Sequence, residues 1–140
     1  MHTVTRGTNT LLFSAPPSDV DTVHDFLEGV WLDAPGIDET DRMAFETALI
    51  ELASNVIQHA DAEGVTCVLS VETEDGQLRA QLSDTAETGG VRLVGVEMPD
   101  DLDESGRGIA FIQLLVDDLS YERADGRNIW SIVKRRTSGI

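Results

Sequence analysis

The sequence predicts an α/β fold, a two-layer sandwich in which a mixed, mostly antiparallel sheet carries helices on one face. Three observations predict it. The apolar pattern alternates between a period of two and one near 3.6, in the order β-α-α-β-β-(loop)-α-β-β. Two turn signals, Glu74-Asp75-Gly76-Gln77 and Ala124-Asp125-Gly126-Arg127, join neighbouring strand patterns as hairpins, which are antiparallel by construction. One long helical segment is apolar over more than half its circumference, so a sheet must cover it. At 140 residues the chain reads as a single domain, 1–140, with its core over about residues 10–136.

Residues 9–14 (NTLLFS) form the first strand, ended by Pro16 and Pro17. Ser18 then reads as an N-cap for a helix whose apolar stripe is Val20, Val23, Leu27, Val30 and Trp31. The loop DAPGIDET breaks that helix and offers Asp38 or Thr40 as the cap of the next, which runs to about His59. Phe45, Ala48, Leu49, Ile50, Leu52, Ala53, Val56 and Ile57 are its apolar positions, predicting heavy burial. Val65, Cys67, Leu69 and Val71 alternate on one strand; Leu78, Ala80 and Leu82 alternate on its hairpin partner, which ends at Asp84. Residues 85–105 keep no period and read as a long loop, the kind that in compact domains is a lid or disordered. A third helix spans Gly106 to Val116, and the last hairpin joins strands near 118–123 and 128–134.

A net charge of −16, with Lys134 the sole lysine, makes a surface that repels phosphate backbones and anionic membranes. Nucleic acid and membrane are therefore poor partners, and a basic protein is a better one. Cys67 is the only cysteine, so neither an intrachain disulfide nor a cysteine metal cluster can form. No run of eighteen apolar residues occurs, and the N-terminus MHTVTRGTNT lacks an apolar signal region; the expected location is the cytoplasm.

Glu51 and Asn55 lie four residues apart on the second helix, so they project side by side about one turn apart. With Thr47, Ser54 and Gln58 they form a narrow polar ridge. It reads either as the wet edge of a buried helix or as a base and a metal ligand on a pocket wall. His59 reads as a helix-end residue, and a zinc site finds no HExxH pair. Asp84 closes a strand where the chain enters the long loop, a common place for a ligand-reading carboxylate and also for a turn cap. Ser105-Gly106-Arg107-Gly108-Ile109 opens a helix with little steric cover, an arrangement suited to phosphate; it is neither a Walker nor a Rossmann loop.

Taken in order, ExxxN on a helix, an Asp after a hairpin strand, a variable lid and SGRG at a helix start resemble the GHKL (Bergerat-type) ATPases. The segments FETALIELASNVIQHA, DESGRGIAFIQLLVDDLSYER and GRNIWSIVKR are similar to the small bacterial anti-sigma factors that are also serine-protein kinases. The resemblance spans roughly residues 10–136. It implies the Bergerat ATP-binding fold with ATP and Mg²⁺ as cofactors. It implies Glu51 as general base, Asn55 as Mg²⁺ ligand, and Asp84 as acceptor for the adenine amino group. Asn55, Asp84, Ala86, Gly106, Arg107 and Gly108 would line the ATP site, under a lid over about 85–105. The family's usual DxGxG reads Asp84-Thr85-Ala86-Glu87-Thr88 here.

What the resemblance implies is an anti-sigma regulatory factor with protein serine/threonine kinase activity. Its partners would be a sigma factor and an anti-sigma-factor antagonist of STAS type, which it phosphorylates; relatives of this type also pair as homodimers through their sheets. The rival reading is a non-catalytic sigma-binding or adaptor module with a degenerate nucleotide pocket, motivated by Ala86 and Thr88. A free-standing ATP hydrolase or a histidine-kinase catalytic fragment is a third class.

Overall fold

The structure, a computed structural model, describes residues 8–16, 18–58, 64–85 and 104–137. The elements are β1 (Thr8–Ala15), α1 (Val20–Asp33), α2 (Glu39–Gln58), β2 (Val65–Thr73), β3 (Gln77–Asp84), α3 (Glu104–Leu115), β4 (Asp118–Ala124) and β5 (Arg127–Arg135). The strands form one sheet in the order β1-β2-β3-β5-β4, and all pairings among the described residues are antiparallel. The expected mixed character is absent from the direct pairings. β3 and β4, both antiparallel to β5, lie on either side of it. The chain between them crosses by way of α3, and β5 then returns to the gap.

Period-two patterning places the apolar residues on one face. Cross-strand register lines them up in rows, one running Leu11, Leu69, Leu82, Trp130, Tyr121 and the next Val71, Ala80, Ile132, Leu119, with the buried polar Asn9 at its β1 end. The helices pack on this face: Phe45, Ala48, Leu49 and Leu52 of α2 are buried in the same cluster as the sheet residues. Each such large side chain taken out of water stabilises the fold by about 1.5–3 kcal/mol. The opposite face is open, and Leu12 there is 67% exposed.

α1 buries Val23, Leu27, Val30 and Trp31, the i, i+4, i+7, i+8 stripe that its sequence shows. The indole of Trp31 meets the ring of Phe45 edge-on, with centroids 6.2 Å apart, which fixes α1 against α2. The cap is Asp19 and not Ser18: Asp19 Oδ1 accepts from the backbone N–H of Asp21 at 3.0 Å. At α2, Asp38 takes the equivalent place, accepting from Thr40 N–H at 3.0 Å. The β4–β5 turn has Asp125 at φ 52° and Gly126 at φ 77°, the left-handed pair that a two-residue hairpin needs. Among the described residues no helix is long and apolar enough to cross a membrane.

Candidate nucleotide site

α2 brings Glu51 and Asn55 to the side facing α3, and the polar ridge splits there. Thr47 and Gln58 are exposed, whereas Asn55 is only 4% exposed. A wet helix edge does not account for a buried amide. Its Nδ2 has no hydrogen-bond partner among the described residues, although a buried amide normally finds one.

What lies against this pair is Gly108. A Cβ built there would stand 2.8 Å from Asn55 Nδ2, 3.0 Å from Glu51 Oε2 and 3.3 Å from Asn55 Oδ1. The missing side chain is thus what lets α3 approach the carboxylate and the amide. Ile112, one turn further along α3, is fully buried and anchors the helix in the core. α3 starts at Glu104, two residues before the expected Gly106. Gly106 and Arg107 therefore fall within its first four residues, whose N–H groups have no intrahelical acceptor; Gly108 falls in the fifth place. Gly108 acts by close packing and not as a bare helix opening.

Asp84 ends β3 on the buried face and is 2% exposed. Register places it between Cys67 of β2 and Asn128 of β5. Asn128 is fully buried and donates from Nδ2 to Asp84 Oδ1 at 2.9 Å. Its own Oδ1 accepts from the Tyr121 hydroxyl at 2.6 Å and from Arg123 Nη1 at 2.8 Å. Burial, with the Asp84 charge adding to it, pushes the Cys67 thiol from 9.0 up to about 12. Burial likewise raises the Tyr121 phenol, against the opposing effect of Arg123, so it stays a donor.

Asn128, Tyr121 and Arg123 do not stand out in the sequence as site residues. The available signal was an asparagine in the buried phase of β5, in line with Trp130 and Ile132. Ala86, His59 and most of the expected lid over about 85–105 lie outside the described residues.

The donors fit a magnesium nucleotide. The Asn55 amide oxygen is a hard ligand, which suits Mg²⁺, and the Glu51 carboxylate beside it is left free to take a proton. Among the described residues no group of three His, Cys, Asp or Glu could hold a metal ion, so a cation here would depend on phosphate oxygens for most of its ligands. The unpartnered Asn55 Nδ2 is a donor that a phosphate oxygen would satisfy, and Asn55 Oδ1 is the atom that would hold the cation.

An antiparallel sheet covered by helices on one face is consistent with the GHKL ATPase fold. The chain belongs to the histidine kinase-like ATPase domain family, which it matches over residues 13–134. In structure it is similar to the RsbU and RsbW domains of Rv1364c from Mycobacterium tuberculosis, with TM-score 0.61 and 18% identity. That match covers 91% of this chain and 32% of the other, so the chain spans about a third of that protein's length. The Acinetobacter baumannii histidine kinase AdeS matches at TM-score 0.48 and 17% identity, over 93% of this chain and 68% of that one. No curated protein matches the chain in sequence.

Proposed function

We propose that the chain is an anti-sigma regulatory factor with ATP-dependent protein serine/threonine kinase activity. It binds a sigma factor and phosphorylates an antagonist of STAS type. The observation that carries the kinase reading is the seating of Gly108 on Glu51 and the buried, unsatisfied Asn55. The sequence resemblance to anti-sigma serine-protein kinases supports the choice of partners.

In this reading Glu51 takes the proton from a serine or threonine hydroxyl of the antagonist. The hydroxyl oxygen bonds to the γ-phosphorus as the bond to the β-phosphate oxygen breaks, leaving ADP. Asn55 would hold Mg²⁺, which when bound neutralises charge on the phosphates. The backbone N–H groups of Gly106 and Arg107 at the start of α3 face the phosphates, and Asp84 accepts from the adenine amino group. The net charge of −16 speeds encounter with a basic sigma factor more than it sets affinity.

Mixing the protein with Mg-ATP and candidate antagonists, then looking for a phosphate mass increment on serine or threonine, tests the reading. No increment on any antagonist that binds the protein would overturn it. A second reading, the non-catalytic module, draws on Asp84, which is 2% exposed and already bonded to Asn128. Calorimetry separates the two: no heat with millimolar Mg-ATP favours the module.

A further inference from the structure

We infer that Asn128 is a positioning residue, pinned by Tyr121 and Arg123, that orients the Asp84 carboxylate and so sets the base selectivity of the pocket. The inference rests on the reading that Asp84 meets the nucleobase.

An asparagine amide can be turned end for end at little cost when its surroundings are symmetric, because its oxygen and nitrogen are nearly the same size. Here they are not symmetric. The Tyr121 hydroxyl and the Arg123 guanidinium are both aimed at one atom, at 2.6 Å and 2.8 Å. A guanidinium can only donate, so the atom it meets is the oxygen. The NH₂ group is thereby turned to Asp84, at 2.9 Å, and the carboxylate is held from the side by a donor that cannot turn away. The four residues come from three strands. Asp84 pairs with Asn128 across β3 and β5, and Arg123 with Asn128 across β5 and β4. Tyr121 is held in turn by Trp130, with ring centroids 4.6 Å apart.

The consequence is chemical selectivity. A carboxylate kept in one orientation as an acceptor rewards a base with an exocyclic amino group and repels one with a carbonyl oxygen at the same place. An Asp84 free to rotate would discriminate less. Positioning acts on binding and leaves the transfer step, at the Glu51 end, untouched.

The experiment measures affinity for Mg-ATP and Mg-GTP by calorimetry, with thermal melting as a check on folding. The variants are Asn128→Leu, Tyr121→Phe, Arg123→Gln and Asp84→Asn. Asn128→Leu is expected to weaken ATP about tenfold and to narrow the ATP-over-GTP preference. Tyr121→Phe and Arg123→Gln should each weaken ATP by about threefold, and neither should add to the effect of Asn128→Leu. An Asn128→Leu protein that melts earlier but keeps the full preference would make Asn128 merely structural and overturn the inference. Loss of ATP binding in Asp84→Asn with full binding in Asn128→Leu would overturn it while sparing the nucleotide reading. A wild-type protein that binds neither nucleotide would remove both.

Discussion

The two ends of the site are built in opposite ways. At the end proposed for the phosphates, Asn55 is buried with its Nδ2 unpartnered among the described residues, and Gly108 lets α3 pack directly against it. At the base end, Asn128 is equally buried, yet its amide is engaged on both sides, by Asp84 and by Tyr121 with Arg123. Leaving a buried polar group unsatisfied costs about 1–3 kcal/mol, whereas a satisfied network costs far less. The comparison teaches where ligand contributes. In the proposed reading the phosphate end would be completed by what binds there, whereas the base end is complete beforehand and would present a fixed edge.

The largest expected effect breaks the phosphate end chemically. Glu51→Ala should lower phosphate transfer by about 10²–10⁴-fold, the usual worth of a positioned general base, with ATP still bound. Transfer assays beside calorimetry check this, and unchanged transfer would remove Glu51 from the role of base.

Gly108→Ala comes next and sharpens the comparison, because two effects on stability oppose each other. Alanine gains about 1 kcal/mol in helix propensity over glycine. Its methyl group, 2.8 Å from Asn55 Nδ2, costs about 1–3 kcal/mol in overpacking. The melting temperature should therefore change little or fall slightly. Transfer should drop by about 10²-fold, since displacing the pair by a fraction of an ångström spoils alignment. Activity lost with the fold intact is the expected signature, and retained activity would mean that α3 yields freely.

At the base end the buried thiol gives a pH test. Cys67 is raised from 9.0 to about 12 in the folded protein, so between those values the unfolded chain releases a proton that the folded chain keeps. The unfolded state then binds fewer protons, and stability falls as pH rises through that window, being fully present below 9.0. Cys67→Ala should flatten this part of the stability curve, read by urea unfolding at several pH values. A slope that persists unchanged would assign it to other groups.

The smallest effect concerns the β4–β5 turn, which sets the pairing of Arg123 with Asn128. Gly126 has φ 77° with open space around it, so alanine there meets a conformational cost alone, about 1–2 kcal/mol. Denaturant midpoints should show that loss while the preference for ATP over GTP stays the same. A changed preference would mean that the hairpin's register had moved.

Much of the fold was legible because local patterns suffice for it. The alternation of Val65, Cys67, Leu69 and Val71, the stripe on α1 and the two hairpin turns each depend on a few adjacent residues, and the structure repeats them. The cap of α1 was off by one residue because Ser18 and Asp19 are both good caps and only geometry chooses. The start of α3 was misplaced for a deeper reason. Gly106 and Gly108 read as residues that open a helix, but packing against Glu51 and Asn55 outweighs their poor helix propensity and draws Gly108 inside. Glu51, Asn55 and Gly108 could be proposed from sequence, and the structure brings them into contact. The link from Asn128 to Asp84 could not. Tyr121, Arg123 and Asn128 meet within the local β4–β5 hairpin, but Asp84 joins them only once β3 pairs with β5, and sequence separation hides that pairing.

The most direct measurement is mass spectrometry of a candidate antagonist after incubation with the protein and Mg-ATP, for wild type and Glu51→Ala in parallel. The account predicts a phosphate increment on one serine or threonine with the wild type and almost none with the variant. The same increment with both proteins, or with neither while ATP is bound, would contradict it.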